Sequence, residues 1–362
     1  MSEKIRAMKL LGLTPFHIYP PNFGGAERAW NLLSRLGPID VIALNWEGYT
    51  HSGQIGDVNY QLIAADQAAV DQANKLRASG VKTFDPMPSL TRNNLTTIRK
   101  AVDDADPDLV ILEHPWLYDL IDGRPYLYDS HNCETVNTGQ LFGVGSYDYA
   151  LVKDLEETVI ANAEHMTYCS PADINHMAQL FTRFPSSTLV ANGVTIPTEK
   201  AHGNTRNLLF VGSAYQPNVN AAQRLINLAD QLTGYTIQIA GACTHYLRNT
   251  APNVQLLGQV SDEQLHELYV NAYAFVNLVG EGSGTHLKIG RALAYGVPVL
   301  TTSHGKRGYE TPITITDQQL PYRLNGLDWE TAHRKAMKEA EPLNWDIQAQ
   351  RMKGAINDIA RM

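Results

Sequence analysis

The sequence contains few cysteines, no long apolar run and only a modest excess of negative charge. Its three cysteines among 362 residues are widely spaced and odd in number, which argues against a disulfide framework or a cysteine metal site. No apolar run approaches the roughly 18–20 residues that a transmembrane helix requires. The first residues, MSEKIRAMKLLGL, lack the apolar segment of a signal peptide. We therefore predict buried thiols and a cytoplasmic location, either free or peripheral to a membrane.

The signatures of several enzyme classes are also missing. The chain has no Walker A loop, no His-Glu-x-x-His pair for a catalytic zinc ion and no Gly-x-Ser-x-Gly turn for a nucleophilic serine. The formal net charge of −8 disfavours a broad electrostatic surface for nucleic acid. What remains is a folded globular protein, since 44% of the residues are hydrophobic and only 18% are charged.

Short apolar runs alternate with helical patterns along the whole chain. Runs such as IDVIALNW and DLVILEHP, and later NLLFVGS and AYAFVNLVG, alternate with amphipathic stretches such as AERAWNLLSRL and NAAQRLINLADQL. This alternation is typical of parallel sheets that are covered by helices on both faces. We predict two doubly wound α/β domains, residues 1–197 and 198–343, joined near the polar segment PTEKAHGNTRN. Ligands in such folds bind at the C-terminal ends of the strands.

Two strand-to-helix turns contain residues that suit the approach of an anion. In PPNFGGAERAW, Gly24 and Gly25 let the backbone come close to a ligand, and the next helix directs free N–H groups at it. The stretch FVGSAYQPNVNA repeats this arrangement with Gly212 and Ser213. Each stretch alone is equally compatible with an ordinary capped turn.

The stretch EGSGTHLKIGRALAYGVPVL, residues 281–300, gives the strongest indication of a ligand. Its small residues clear space and add hydroxyl groups before a helix that is predicted to begin at about His286. Lys288 falls in the first turn, where a cation is unfavourable beside the helix dipole unless an anion is present. Arg291 follows three residues later on the same face. We predict a diphosphate site here, with a solvated basic helix face as the alternative.

A second group of polar residues follows an apolar run in the first half. In YLYDSHNCE, Asp129, His131 and Asn132 come just after the predicted strand, where a histidine can hydrogen-bond to a substrate hydroxyl. A purely structural histidine is the alternative. Glu113 and His114 in LEHPW occupy a similar position after another strand.

Taken together, these motifs resemble the family-four (GT4) retaining glycosyltransferases of the GT-B fold. The resemblance runs through PPNFGGAER, YDSHN, LVANGV, LLFVGSAYQPNVNA, VQLLGQVSDEQL, GSGTHLKIGRALAYGVPVLTTS and GKRGYE. It implies two Rossmann-like doubly wound domains facing a central cleft. The final stretch, LNWDIQAQRMKGAINDIARM, resembles the closing helix of this family, which implies that residues 344–362 pack back onto the first domain.

The resemblance also implies a donor, a nucleotide diphosphate sugar, with no metal and no other cofactor. Two candidate catalytic residues, His131 and Glu281, would contact the transferred sugar. The implied donor-binding residues are Gly24, Gly25, Gly212, Ser213, Val260, Ser283, Gly284, Thr285, His286, Leu287, Lys288 and Arg291. The acceptor can be a glycan, a lipid-linked glycan, a protein or a small molecule, with nucleic acid disfavoured by the acidic charge. We expect acceptor contacts from variable loops of the first domain, residues 46–61, 86–94 and 135–149.

The sequence departs from the family pattern at one position in particular. Arg291 stands where the family usually has a glutamate that accepts hydrogen bonds from the ribose, which arginine cannot do. Ser283 aligns with a first family glutamate, and Glu281 lies two residues before it. Gly290, beside Arg291, is predicted to leave room for the ligand or the first domain.

These departures keep other functions open. One alternative is a catalytically degenerate protein of the same fold that binds a sugar nucleotide or serves as a partner subunit. Another is a nucleotide-sugar epimerase or hydrolase of the GT-B fold. Modification of nucleic-acid bases is a third, which the acidic balance disfavours. The acceptor, the sugar, the nucleotide and the oligomeric state do not follow from the sequence.

Overall fold

The computed structural model describes residues 8–83, 85–248, 251–281 and 285–361. The chain divides into two compact units. The first unit comprises Met1–Ala191 and Trp345–Met362, and the second comprises Asn192–Asn344. Each unit is built on one sheet, which confirms the predicted doubly wound α/β class.

The first unit contains an eight-stranded sheet. Its strands are β1 (Leu10–Thr14), β2 (Ile39–Asn45), β3 (His51–Ile55), β4 (Val58–Ala64), β5 (Leu109–Glu113), β6 (Tyr126–Ser130), β7 (His165–Tyr168) and β8 (Ser186–Leu189). Their order is β3-β4-β2-β1-β5-β6-β7-β8, and all neighbours are parallel except the β3–β4 hairpin at one edge. The strand order reverses between β1 and β5, which places a ligand-binding crevice beyond the C-terminal ends of these two strands.

Seven α-helices precede the second unit within the described residues. They are α1 (Gly24–Leu33), α2 (Gln67–Ala78), α3 (Met87–Leu90), α4 (Thr96–Ala105), α5 (Glu134–Phe142), α6 (Tyr147–Asn162) and α7 (Pro171–Leu180). The expectation of loops at residues 46–61, 86–94 and 135–149 is therefore wrong, because these segments contain parts of a hairpin and of α3, α5 and α6.

The second unit contains a six-stranded parallel sheet. Its strands are β9 (Asn207–Val211), β10 (Thr236–Ala240), β11 (Val254–Gly258), β12 (Ala272–Asn277), β13 (Val299–Thr301) and β14 (Ile313–Thr314), in the order β11-β10-β9-β12-β13-β14. The helices are α8 (Gln216–Asn227), α9 (Asp262–Val270), α10 (Leu287–Ala294), α11 (Leu320–Asn325) and α12 (Trp329–Ala340). Here the order reverses between β9 and β12, so α8 and α10 begin beside the expected crevice.

One further helix, α13 (Trp345–Ile359), returns to the first unit. Its buried face, which includes Trp345, Met352 and Ile356, packs against α1, β7 and β8. Arg35 of α1 donates to Asp346 of α13 at 2.8 Å.

The helix ends differ in how their N–H groups are satisfied. The hydroxyls of Ser146, Ser170 and Ser261 cap α6, α7 and α9, as the preference for serine at this position predicts. In contrast, α1, α8 and α10 follow the glycine-containing turns and begin without a side-chain cap. The N-cap side chains of these three helices thus leave the first N–H groups to other partners, which an anion can supply. All three cysteines are buried and unpaired, and no described helix combines the length and apolar character needed to cross a membrane.

Candidate functional site

The first turn of α10 places the half-buried side chain of Lys288 against the core of the second unit. Its ammonium group donates to Asn218 Oδ1 at 2.6 Å and lies 4.5 Å from the centre of the Phe210 ring. Burial lowers the pKa of Lys288 to about 7, because a charged ammonium loses its hydration there. Asn218 lies in the first turn of α8, so the contact joins the two uncapped helix ends at the reversal of strand order.

Gly212 is packed among the residues around Lys288. A Cβ atom at Gly212 would lie 2.9 Å from the Phe210 ring, 3.0 Å from Asn218 Cβ and 3.2 Å from Cys243 Sγ. A side chain at this position would therefore collide with the residues that position Lys288. Ser213 follows in the exposed turn, and its hydroxyl oxygen accepts from Asn218 Nδ2 at 3.1 Å.

His286 adds a polar atom without a partner at the start of α10. Its Nε2 is buried and has no hydrogen-bond partner among the described residues. Burial lowers the pKa of His286 well below its ordinary value, and the charges of Lys288 and Arg307 lower it further. The His304 ring lies 6.2 Å from the His286 ring. The N-terminal end of α10 therefore lies among positively charged groups and hydrogen-bond donors, as an anion site requires.

The remaining predicted residues of this unit are distributed around α10. Thr285 Oγ1 accepts from Asn192 at 2.6 Å, and Leu287 is the first residue of the helix. Glu281 is exposed, and its Oε1 accepts from Asn220 of α8 at 3.2 Å. Val260 lies between β11 and α9, two strands away from β9 in the sheet. The predicted Ser283 and Gly284 lie outside the described residues.

Gly290 does not leave room for a ligand, so this expectation is wrong. A Cβ atom there would lie 2.8 Å from Val194 Cγ1 and 2.9 Å from the Tyr309 hydroxyl. The Tyr309 hydroxyl donates to the His286 carbonyl oxygen at 3.1 Å. The absence of a side chain at Gly290 therefore lets Tyr309 hold the N-terminal end of α10 in place.

Arg291 lies on α10 near Tyr295. Burial raises the pKa of Tyr295, and the positive charge of Arg291 partly offsets this effect. The Tyr295 hydroxyl lies 2.9 Å from His266 Nδ1, and His266 Nε2 lies 3.2 Å from Glu199. Arg291 thus neighbours a hydrogen-bonded chain that ends in a carboxylate on the surface of the second unit.

In the first unit, the turn before α1 lies close to His131. A Cβ atom at Gly25 would lie 3.0 Å from the Phe23 ring, 3.2 Å from the Phe16 ring and 3.6 Å from His131 Nδ1. Gly24 is exposed as the first residue of α1. The structure therefore brings together Gly25 and His131, which the sequence had singled out separately.

A buried ion pair lies behind His131. Arg28 of α1 donates to Asp129 at 2.6 and 2.9 Å, and also to the Val190 carbonyl oxygen at 2.8 Å. Burial alone would raise the pKa of Asp129, but Arg28 outweighs it and keeps this pKa far below its ordinary value. Because the pair is bidentate, fully buried and further bonded by Thr167 at 2.5 Å, it fixes the start of α1 against the end of β6.

His114 occupies a strained backbone conformation beside His131. Its φ of 63° and ψ of 162° lie in a region that residues other than glycine rarely adopt. His114 Nδ1 lies 2.8 Å from Glu134 Oε1, and the His114 and His131 rings are 4.1 Å apart. Glu156 accepts from the Glu134 and Thr135 N–H groups at 2.8 Å and so fixes the start of α5. Such strain at the end of a central strand is typical of functional sites.

Glu113, Asp129 and His131 present ligand-type atoms within 4.8 Å of one another. A metal ion would have to displace the guanidinium of Arg28, which already holds both oxygens of Asp129. We therefore interpret the cluster as a hydrogen-bonded network.

Several of these residues carried no recognisable signal in the sequence. Arg28 lies 101 positions from Asp129, and Lys288 lies 70 positions from Asn218. Only the buried position of Arg28 within the apolar helix pattern AERAWNLLSRL offered a hint, because an unpaired buried arginine is costly.

Comparisons with known proteins agree with this geometry. Residues 205–319 match the family described as Glycosyl transferases group 1. Sucrose-phosphate synthase from Thermosynechococcus elongatus is 16% identical with a TM-score of 0.73, covering 97% of this chain and 99% of its own. Trehalose-6-phosphate synthase OtsA is 10% identical with a TM-score of 0.71, covering 98% and 99%. HepE of Anabaena, solved with UDP-glucose, is 15% identical with a TM-score of 0.67, covering 97% and 100%. No curated protein matched in a sequence search.

The family match and the structural matches carry different information. At such low identities the solved structures establish the fold, and they do so over nearly the whole chain. The family match concerns the sequence of the second unit, including the Lys288 region. Together they confirm the predicted resemblance. Residues 205–319 of the second unit are therefore similar in sequence to the group 1 glycosyl transferases, and the chain as a whole has the GT-B fold.

Proposed function

We propose that the chain is a retaining glycosyltransferase of the GT4 type that transfers a sugar from a nucleotide diphosphate sugar to an acceptor. The second unit binds the nucleotide, and the segment 282–288 with the start of α10 holds the diphosphate. The reaction needs no metal ion and no further cofactor, and it takes place in the cytoplasm or at its membrane surface. The acceptor is a glycan, a lipid-linked glycan, a protein or a small molecule.

The observation that carries this proposal is the environment of Lys288. Its ammonium group is bonded to a neutral amide oxygen and lies over an aromatic ring, and no carboxylate pairs with it among the described residues. A desolvated cation at a helix N-terminus is unfavourable in isolation. A diphosphate would remove this penalty by supplying negative charge to Lys288, to the open N–H groups of α10 and to the unpartnered His286 Nε2.

The same groups suit the chemistry of the leaving diphosphate. When the bond between the sugar and the phosphate breaks, negative charge accumulates on the phosphate oxygens. Fixed donors and a cation in a poorly hydrated site stabilise this charge without rearrangement. In the first unit, His131 lies beside the glycine turn of α1, where we propose that it contacts the transferred sugar. Glu281 is proposed as a second sugar contact, since its carboxylate lies at the exposed start of α8.

The structural matches suggest which nucleotide to test first. HepE is solved with UDP-glucose and with UDP, and one trehalose-phosphate synthase is described as UDP-forming. We therefore use uridine nucleotides as probes, with other nucleotide sugars in a parallel thermal-shift panel.

A second candidate is a protein of the same fold that binds a sugar nucleotide without turnover. Arg291 favours it, because an arginine cannot accept the ribose hydrogen bonds that the resemblance assigns to a glutamate there. Nucleotide binding without transfer to any of a broad panel of acceptors would support this candidate. Formation of an isomerised sugar without acceptor would instead indicate an epimerase.

The Lys288→Ala substitution tests the proposed site. A charge-assisted contact to phosphate is worth about 1.5–3 kcal/mol, so the affinity for UDP should fall about tenfold or more in calorimetry. Lys335→Ala is the matched control, since it removes an exposed lysine from α12 of the same unit and should leave the affinity unchanged. Equal UDP affinity in wild type and Lys288→Ala would remove Lys288 from the site.

A further inference from the structure

Glu113 and His131 form a buried pair at the ends of β5 and β6. Glu113 Oε2 lies 2.6 Å from His131 Nε2, and neither side chain is more than 5% exposed. The other ring nitrogen, Nδ1, has no hydrogen-bond partner among the described residues. It lies 3.6 Å from the position that a Cβ atom would take at Gly25. The pair thus uses one nitrogen internally and directs the other toward the turn before α1.

Burial and the charge of Asp129 favour a proton on Glu113. Both carboxylate oxygens of Asp129 accept hydrogen bonds from the Arg28 guanidinium, and Asp129 also accepts one from Thr167. Glu113 has no such partner, and its Oε1 is buried without a hydrogen bond among the described residues. A second buried carboxylate next to Asp129 would be both desolvated and repelled. Accordingly, burial and the charge of Asp129 raise the pKa of Glu113 well above its ordinary value.

That proton belongs on the oxygen that faces His131. The 2.6 Å distance fits an O–H group of Glu113 that donates to a bare Nε2. The only other acidic oxygen recorded near Nε2 is Asp129 Oδ2, at 3.5 Å, which is too far for a good hydrogen bond. Burial also lowers the pKa of His131, so its ring remains neutral at physiological pH. A neutral ring that accepts at Nε2 must carry its own proton at Nδ1.

We propose that Glu113 is a positioning residue that, as a neutral acid, donates to His131 Nε2 and fixes His131 in the Nδ1–H form. His131 then presents a hydrogen-bond donor at the turn before α1, where it binds an oxygen atom of the sugar and cannot accept a proton from it. The assignment of the proton stands on the buried pair alone. The contact with a sugar rests on the proposed function.

Nitrogen NMR of the ligand-free protein tests the proton assignment directly. With ¹⁵N-labelled histidine, protonated and bare ring nitrogens have well-separated chemical shifts, and the His131→Gln variant identifies the His131 signals. We expect a protonated Nδ1 and a bare Nε2 between pH 6.5 and 8. A protonated Nε2 with a bare Nδ1, or a doubly protonated ring, would overturn the proposal. A shift of the His131 signals on addition of stoichiometric Zn²⁺ or Mn²⁺ would also overturn the proposal, because the cluster would then be a metal site.

Two substitutions of Glu113 separate positioning from simple support of the fold. Glu113→Gln is neutral and retains an N–H donor for Nε2, so the Nδ1–H form should persist. Glu113→Met has a similar size but no donor. The His131 ring should therefore change to the other tautomer, with a proton on Nε2 directed at Asp129 and none on Nδ1. If both variants keep the wild-type form, Glu113 does not set the tautomer. If Glu113→Met does not fold, the wild-type spectrum still decides which ring nitrogen of His131 carries the proton.

Ligand binding then tests the contact with the sugar. We expect Glu113→Met to weaken UDP-glucose binding about tenfold relative to Glu113→Gln, because a bare Nδ1 would face a sugar oxygen. Both variants should bind UDP alone equally well. Equal UDP-glucose affinity in the two variants would remove His131 from the sugar site. Absence of any UDP binding would count against the proposed function, whereas the NMR result would stand independently.

Discussion

At the scale of single residues, the pKa of Lys288 lies where small changes in pH alter its charge. Burial lowers this pKa to about 7, so the ammonium form dominates at pH 6 and is a minority at pH 8. Only the charged form attracts a diphosphate. The affinity for UDP should therefore fall about tenfold between pH 6 and pH 8, and binding at pH 8 should take up a proton.

Calorimetry across this pH range, in buffers with different ionisation enthalpies, measures both effects. UDP also titrates near pH 6, so Lys288→Ala is the necessary control. Binding of UDP to Lys288→Ala should still show the pH dependence that comes from UDP itself, but it should take up no proton at pH 8. An identical pH profile in wild type and Lys288→Ala would show that Lys288 is not the titrating group.

Arg291 gives a prediction about the nucleoside. If it occupies the position that the resemblance assigns to a ribose-binding glutamate, the ribose loses a carboxylate partner. A hydrogen bond to a charged group is worth about 1.5–3 kcal/mol, so UDP and 2′-deoxy-UDP should bind within about tenfold of each other. The Arg291→Glu variant should restore preference for the ribonucleotide. Strong ribose preference in wild type that the substitution does not change would exclude Arg291 from donor recognition.

The sequence predicted single residues better than their partners. Lys288 was identifiable because its charge opposes the dipole of its own helix, which is a local property. Its pKa is lowered by burial, and the residues around its ammonium group, such as Phe210 and Asn218, lie far earlier in the chain and are brought to it only by the folded sheet. The same holds for Glu113, whose pKa is raised mainly by its burial and by the charge of Asp129 on the neighbouring strand.

At the scale of elements, the start of α10 depends on a glycine inside that helix. Alanine normally stabilises a helix by about 1 kcal/mol relative to glycine. At Gly290, however, a Cβ atom would collide with Val194 and with the Tyr309 hydroxyl that holds the His286 carbonyl oxygen. We therefore expect Gly290→Ala to lower the free energy of unfolding by about 1–3 kcal/mol and to weaken UDP binding.

Gly354 of α13 provides the matched control for this substitution. It also lies inside a helix, but a Cβ atom there would meet nothing within 4 Å. Gly354→Ala should raise the free energy of unfolding by up to about 1 kcal/mol in urea denaturation, with UDP affinity unchanged. Stabilisation by both substitutions would mean that Tyr309 moves away at little cost.

The elements that were predicted correctly are those with strong apolar patterns. β1, β5 and β12 are buried along their whole length and appear in the sequence as continuous apolar runs. The β3–β4 hairpin was missed because β3 is polar and largely exposed, so it lacks the alternation that indicates a strand. Its pairing with β4 is a tertiary property of the sheet edge.

At the scale of the whole molecule, the proposed function predicts transfer without a metal ion. Across the described parts of the chain, Glu113, Asp129 and His131 form the one group of three side chains that could hold a metal ion. Arg28 already pairs with Asp129 in this group. Helix ends and cations can stabilise the leaving group instead. We expect transfer to be unchanged after dialysis against EDTA. Loss of transfer that Mn²⁺ or Mg²⁺ restores would contradict this expectation.

The return of α13 to the first unit has a consequence for how the protein is made. A ribosome releases residues in order, so the second unit is complete once Asn344 has emerged, whereas the first unit still lacks its last helix. Until then, the surface of α1, β7 and β8 that receives Trp345 and Met352 is exposed to solvent. Closing the chain across roughly 150 inserted residues costs little extra entropy, since this cost grows only with the logarithm of length. The delay before α13 is synthesised, and not the closure of the long loop, is therefore what leaves this surface exposed while the chain is being made.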